Sequence, residues 1–234
     1  MHPSDRKPGA PSRWGFASRA ACALEVALAT ALLVGGCGDD APPGGPRAPD
    51  AGRVEDPDNV GVVRWVGAVE ETDVHVAVLA GRGKARVYFS GGPESYATAT
   101  RWFYVDYDGG EHLEFEEDAW QIHAHLTLGG LIGEVRLGDD VTRTVKASEI
   151  EPGTIAGLYE GKSDCGRLGL IVTLAAKDAW PTAQGVCTDG AGKAHQRVEP
   201  IAPIVSEAGK IRVRTPGGGG DATLLLQAAA LEPL

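Results

Sequence analysis

The chain has 234 residues, of which 43% are hydrophobic and 23% charged, and its formal net charge is −10 at pH 7. An acidic surface repels phosphates and anionic lipid headgroups, so the composition argues against nucleic-acid binding and against membrane attachment through a basic patch. The 175 residues from Val60 onward are enough for one sizeable hydrophobic core, and we expect a single domain over residues 60–234.

Residues 1–36 have the layout of a secretory signal peptide that is removed from the mature protein. A leader with four basic residues precedes an apolar run from Ala20 to Val34, and Gly35 and Gly36 follow it. Glu25 interrupts this run, and the stretch that follows it, Val26 to Val34, is nine residues long, whereas a helix needs about 20 residues to cross the hydrocarbon core. The pattern predicts export and argues against a stable transmembrane helix.

The sequence Val34-Gly35-Gly36-Cys37 resembles the lipobox of bacterial lipoproteins: a branched aliphatic residue, two small residues and a cysteine. The resemblance implies that Cys37 becomes the first residue of the mature protein and carries a diacylglycerol on its sulfur, with its amine commonly acylated too. Several acyl chains, at about 0.8 kcal/mol per buried methylene, give durable anchoring. The alternative is an ordinary secreted protein with a chance cysteine near its cleavage site.

The segment after Cys37 is predicted to be a flexible tether between the lipid anchor and the folded domain. Residues 38–59 contain five prolines, four glycines and five aspartates, and too few apolar side chains to form a core.

Removal of residues 1–36 would make the mature chain more acidic. It takes away four of the 22 basic and two of the 32 acidic residues, which leaves 18 basic and 30 acidic residues and a formal charge of −12. An aspartate directly after the lipidated cysteine resembles an inner-membrane retention signal of some two-membrane bacteria. This chain has Gly38 at that position, which favours the outer membrane. We therefore expect a cell-envelope protein, periplasmic or surface-exposed, with the outer membrane preferred.

From residue 61 onward, apolar and polar residues alternate, which is typical of strands. The clearest hairpin covers residues 74–90, around a loop at 81–84. Because the two apolar faces must match, the register is predicted from them. It places Val78 opposite Val87, Val76 opposite Phe89, Ala80 opposite Ala85, and His75 opposite Ser90.

A second hairpin is predicted around a turn at Glu117 and Asp118. Residues 222–231 are ambiguous between helix and strand, and the preceding strand and glycines favour a strand. Short strands with glycine turns between them predict an all-β fold, an antiparallel up-and-down barrel or sandwich built of short hairpins. Further strands are predicted at 61–69, 101–107, 132–137, 142–147, 154–159, 168–175, 182–187 and 211–215.

Two cysteines remain in the exported domain, Cys165 and Cys187. In an oxidising compartment they are most simply one disulfide. A metal pair or two free thiols are the alternatives.

The domain also resembles β-rich domains of unknown function in bacterial lipoproteins. The similarity lies in a VGxVxxTD pattern at Val66–Asp73 and in YFSGG at Tyr88–Gly92. It implies a β fold and an envelope location, and it implies no chemistry.

The densest group of metal-ligating side chains is rich in histidine. In the predicted second hairpin, His112 lies opposite His123, Glu114 lies opposite Gln121, and His125 follows on the same face. Three imidazoles and one carboxylate, His112, His123, His125 and Glu114, are a donor set for zinc or copper. The alternative is a solvated polar face that binds no cofactor.

Asp73, His75 and Ser90 form a second group, since the first hairpin brings an acid, a base and a nucleophile to one face. The chain has no G-x-S-x-G nucleophile turn, and nothing supplies an oxyanion hole. No residue is therefore assigned a catalytic role.

The function expected from the sequence is binding or scaffolding by a lipid-anchored envelope protein. Its partners would be the membrane, through the lipid, and an envelope protein or a small ligand, with nucleic acid excluded. The competing class is a membrane-tethered enzyme, metal-dependent or hydrolytic. Four tryptophans can line a pocket or fill a core, and the core is favoured for most of them: Trp65, Trp102, Trp120 and Trp180.

Overall fold

The computed structural model describes residues 61–127, 129–175, 180–215 and 222–232, with His195 and residues 222–227 described by their backbone alone. Within these ranges the chain is all β, with two antiparallel sheets and no helix, as the sequence predicted. The described part accordingly holds no helix with the length and hydropathy needed to cross a membrane. The predicted signal peptide, Cys37 and the tether lie outside the described residues.

The first sheet is an eight-stranded meander with the order β4-β3-β2-β1-β8-β7-β6-β5. Its edge strands β4 and β5 approach each other through side chains: the Phe103 and Phe115 ring centroids are 4.7 Å apart, and Arg101 Nη2 lies 2.5 Å from Glu117 Oε1. The sheet therefore curves into a nearly closed barrel. Its strands are β1 Val63–Val69, β2 His75–Gly81, β3 Lys84–Ser90, β4 Arg101–Asp106, β5 His112–Glu117, β6 Trp120–Thr127, β7 Gly130–Leu137 and β8 Thr142–Glu149.

The second sheet has the order β12-β11-β10-β9-β15-β14-β13, and β12 also pairs with β14. The pair Glu199 and Arg214 belongs to this extra ladder, which closes six of the strands into a ring. Residues 222–228 form a strand, as predicted. The strands are β9 Gly157–Ser163, β10 Gly166–Thr173, β11 Thr182–Thr188, β12 Ala194–Pro200, β13 Ser206–Glu207, β14 Lys210–Thr215 and β15 Ala222–Ala228.

The β2–β3 hairpin has the predicted register, with His75 opposite Ser90 and Val78 opposite Val87. Its turn residues Arg82 and Gly83 have φ of 54° and 81°. Two consecutive positive φ values match the right-handed twist of the strands that a two-residue turn joins, and glycine adopts the second of them without strain.

The predicted register of the β5–β6 hairpin is wrong by two residues. Glu117 pairs with Trp120, so the turn is Asp118-Ala119, and His112 lies opposite His125 and not opposite His123. A shift of two keeps every side chain on its own face, so the apolar pattern does not distinguish the two registers. Asp118 adopts φ 55°, which aspartate tolerates better than most residues, and this selects the observed turn.

Cys165 and Cys187 are disulfide-bonded, as predicted. Cys187 lies opposite Leu168 in the β10–β11 ladder, and Cys165 folds back towards it from the turn between β9 and β10. Gly166 makes this possible, because it has φ +118° and a Cβ there would collide with the carbonyl oxygen of Thr188.

Strands β2 and β3 are buried on both faces, and their second face is where the two sheets meet. One face packs into the core of the first sheet through residues such as Val76, Val78 and Phe89. The other face joins an apolar cluster that includes residues of the second sheet. The members of this inter-sheet cluster are Val66, Ala77, Leu79, Tyr88, Leu158, Ile171, Ala229 and Leu231.

Candidate functional site: a cleft between the two sheets

A buried ion pair joins the two sheets. Arg86 of β3 and Glu160 of β9 are 0% and 1% exposed, and both guanidinium Nη atoms of Arg86 donate to the Glu160 carboxylate. Arg167 of β10 donates to the same carboxylate at 2.7 Å. Arg86 also donates to the carbonyl oxygen of Ala230 at 2.6 Å. Since a buried charge is tolerated only when it is paired and hydrogen-bonded, this network fixes how the sheets face each other.

Aromatic rings close the contact around these charges. The Tyr88 and Trp102 rings stack with centroids 4.0 Å apart, and the Arg167 guanidinium lies 3.9 Å from the Trp102 centroid. The two stacked rings contact β10 at Gly169. The Tyr88 hydroxyl donates a hydrogen bond of 3.3 Å to the carbonyl oxygen of Gly169. Burial raises the pKa of Tyr88, so this hydroxyl keeps its proton.

A third link lies where β2 begins and β3 ends. The side-chain amide of Gln184, on β11, donates to the backbone carbonyl oxygens of Asp73, at 2.8 Å, and of Ser90. Ser90 ends β3 and Asp73 directly precedes β2, so Gln184 bridges the two sheets at a third point. Three separate links restrain rotation of one sheet against the other.

Between the sheets lies a cleft of about 840 Å³. The first sheet contributes Val66–Ala68 of β1, His75 of β2 and the end of β8, and the second sheet contributes Thr173, Thr182 and Ile204. Ligand sites usually measure about 300–1,000 Å³ and combine apolar walls with a few polar groups, so this cleft has the size and lining of a binding site.

The remaining wall is the segment that connects the sheets, residues 150–156. The backbone N–H of Ile150 donates to the carbonyl oxygen of Arg64 at 2.8 Å, and the Tyr159 hydroxyl donates to the carbonyl oxygen of Ile155 at 2.9 Å. The Thr154 hydroxyl donates to the carbonyl oxygen of Glu151 at 3.0 Å. The connection is therefore held in place, and a second cavity of about 570 Å³ lies against it, lined also by Val62 and Tyr159.

His75 is the one imidazole that the described lining of the cleft contains. Its Nδ1 is buried and has no hydrogen-bond partner in the described part of the protein. Burial lowers the pKa of His75, and the nearby charge of Asp73 opposes that effect only in part. The lowered pKa favours the neutral ring at pH 7. A buried N–H group without an acceptor is less favourable than a buried lone pair without a donor, so we place the ring proton on Nε2 and leave Nδ1 unprotonated.

The predicted group of Asp73, His75 and Ser90 is only partly assembled. His75 and Ser90 are opposite each other, but Ser90 is 0% exposed and its Oγ makes no hydrogen bond among the described residues. Asp73 accepts hydrogen bonds from the Ser95 hydroxyl and from the backbone N–H of Glu94. Burial would raise the pKa of Asp73, and these hydrogen bonds outweigh it and lower the pKa. A nucleophile–base–acid chain is therefore not formed.

The histidines of β5 and β6 form pairs on the exposed face of the first sheet. The rings of His112 and His125 have centroids 5.1 Å apart, and His125 Nε2 lies 3.3 Å from Glu111 Oε2. His123 Nδ1 lies 3.9 Å from Glu114 Oε2. In the part of the chain that the structure describes, no group of three or more His, Cys, Asp or Glu side chains is placed to hold a metal ion.

The four tryptophans have different environments. Trp65 and Trp120 are buried in the core of the first sheet, as favoured from the sequence, and Trp102 lies in the inter-sheet contact. Trp180 is 84% exposed and precedes Pro181, which lines the cleft.

Sequence reasoning missed the residues that join the sheets. A weak signal was present: Arg86 stands between Ala85 and Val87 in β3, and Glu160 follows Leu158 and Tyr159 in β9. A charge next to apolar residues of a strand is buried only with a partner of opposite sign.

No family model, no curated protein and no solved structure matches this chain.

Proposed function

We propose that this chain is a lipid-anchored protein of the cell envelope whose two-sheet domain binds a small ligand in the inter-sheet cleft. The observation that carries the binding role is the cleft of about 840 Å³, with mostly apolar walls and a neutral histidine. A neutral His75 offers a ligand one ring nitrogen as a hydrogen-bonding group. Apolar walls with few polar groups orient such a molecule and supply most of its affinity through burial.

An enzymatic role has less support. Ser90 is buried away from any substrate, and the described side chains include no metal-binding group of three. Catalysis by a serine needs a nucleophile in hydrogen-bond reach of its base and accessible to the substrate.

The binding role is tested by isothermal titration calorimetry with octyl glucoside below its micelle-forming concentration. This probe has one apolar chain and a neutral headgroup with several oxygen acceptors. The full chain carrying Cys37→Ser is used, so that no acyl chain competes for the cleft. We expect saturable binding with one site.

Two variants decide whether the cleft is the site. Ala68 is exposed and lines the cleft, so Ala68→Trp fills part of it without disturbing a core. Ala191→Trp places the same side chain in an exposed turn outside the cleft lining. Binding at least about tenfold weaker in Ala68→Trp, and unchanged in Ala191→Trp, is the expected result. Equal affinity in both variants would contradict the proposal.

The anchor is tested separately, by membrane fractionation and intact mass. The lipobox resemblance supports Cys37 as the lipidated residue, so Cys37→Ser releases the protein from membranes. Cys22→Ser changes a cysteine inside the predicted signal peptide and leaves the protein in the membrane fraction. Retention of the Cys37→Ser protein in membranes would contradict the anchor and leave the binding role untouched.

A further inference from the structure

The charge of the cleft lining restricts what enters it. Two carboxylates, Glu149 and Glu151, stand on the connecting segment, and the described lining contains no lysine or arginine. His75 does not offset the two carboxylates, because its ring is neutral. The described lining is therefore negative.

Both carboxylates are available to a ligand. Glu149 and Glu151 are exposed at the rim, and one oxygen of Glu149 accepts a hydrogen bond of 3.2 Å from the backbone N–H of Gly129. That bond orients the Glu149 side chain, and because its donor is a neutral backbone amide it does not neutralise the charge. Among the described residues, the second carboxylate oxygen of Glu149 makes no hydrogen bond.

Below the rim the cleft is apolar. Ile150, Ile155 and Ile204 are half-buried, so each leaves hydrocarbon surface facing the open space. Burial of that surface under a ligand is favourable at about 25 cal/mol per Å². An apolar interior with two carboxylates at its entrance is complementary to a molecule with a hydrocarbon body and a cationic head.

We infer that the cleft selects small amphiphilic organic cations and rejects amphiphilic anions of the same size. The inference rests on the proposed function, because it names the ligand class of the same cleft. The acidic balance of the whole domain acts in the same direction, since its summed field concentrates cations near the surface.

The test compares three probes with the same eight-carbon chain: octyltrimethylammonium, octyl glucoside and octyl sulfate. Each is titrated calorimetrically into the full chain carrying Cys37→Ser, below its micelle-forming concentration. We expect the cation to bind about tenfold more tightly than the anion, because the two exposed carboxylates attract the ammonium group and repel the sulfate, and each exposed charge has a modest effect.

Matched variants separate the cleft charge from the overall charge. Glu149→Gln/Glu151→Gln removes the two rim charges and keeps an acceptor oxygen for Gly129. Glu114→Gln/Glu116→Gln removes two charges from exposed positions of β5, outside the cleft. The cation preference disappears in the first variant and persists in the second. In both variants the affinity for octyl glucoside stays the same.

Two results would overturn the inference. If octyl sulfate binds as tightly as octyltrimethylammonium while Ala68→Trp still blocks octyl glucoside, the cleft binds ligands without selecting their charge, and only the inference fails. If none of the three probes binds, the proposed function fails and the inference falls with it.

Discussion

At the scale of single residues, Glu160 is the side chain on which the inter-sheet contact depends most. It accepts from two arginines, Arg86 and Arg167, and is 1% exposed. Glu160→Gln keeps the shape and removes the charge, so Arg86 stays buried with no carboxylate beside it. We expect a loss of about 3 kcal/mol in the free energy of unfolding, measured by urea titration.

The matched control is Glu232→Gln. Glu232 pairs with Lys84 at 3.1 Å, and these side chains are 71% and 59% exposed. An exposed pair contributes about 0–1 kcal/mol. Equal effects of the two substitutions would show that the buried pair is not the stronger link.

Gly169 offers a second prediction at this scale. A Cβ at this position would lie 2.5 Å from Tyr88 Cζ and 2.7 Å from Trp102 Cζ2, so the stacked rings must move. Gly169→Ala is expected to lower the free energy of unfolding by about 1–3 kcal/mol, the usual cost of overpacking. Gly190→Ala is the control, because a Cβ there meets nothing within 4 Å. The measurement is urea titration of both variants. An unchanged free energy of unfolding in Gly169→Ala would mean that the two sheets move apart at this position without loss of stability.

At the scale of elements, the disulfide ties the β9–β10 turn to β11. It closes a loop over a sequence separation of 22 residues. Replacement of both cysteines, Cys165→Ala/Cys187→Ala, is expected to cost about 3 kcal/mol, because the unfolded chain regains the freedom that the bond removes. The measurement is the urea midpoint with and without reductant. Reductant lowers the midpoint of the natural protein towards that of the variant and leaves the variant unchanged, and a midpoint that reductant does not move would contradict this account.

The two hairpins of the first sheet mark how far sequence patterns predict this fold. In β2–β3 the apolar faces and the Arg82-Gly83 turn agree on one register, which the sequence predicted. In β5–β6 the apolar pattern allows registers that differ by two, and a positive φ at Asp118 decides between them. Side-chain alternation thus predicts faces, and the turn residue sets which side chains are neighbours.

The candidate site was harder to predict, for a related physical reason. The sequence identified His75, which lines the cleft, from its place in a local hairpin. The cleft itself forms where separate sheets meet, and no local pattern says which residues face each other there. The uninterrupted apolar run of residues 76–80 in β2, with Ala77 and Leu79 on its outer face, was the available signal that a second layer covers this strand.

At the scale of the whole molecule, the two sheets have separate cores and share one contact. The core of the first sheet contains Trp65 and Trp120, whereas no tryptophan belongs to the core of the second sheet as described. Tryptophan fluorescence therefore reports mainly on the first sheet, and far-ultraviolet circular dichroism reports on both. A shared contact with a buried ion pair makes separate unfolding costly, because it would expose Arg86 and Glu160 together with the inter-sheet cluster.

We therefore expect the two signals to follow one transition in urea for the natural protein. Glu160→Gln/Gly169→Ala weakens the contact at two points while leaving the cores intact, so the two midpoints separate in this variant. The paired control, Glu232→Gln/Gly190→Ala, keeps them together. Separate midpoints in the natural protein would mean that the sheets fold independently, and the cleft between them would then open and close with their relative motion. Coincident midpoints in the weakened variant would mean that the apolar cluster alone is enough to couple the two sheets.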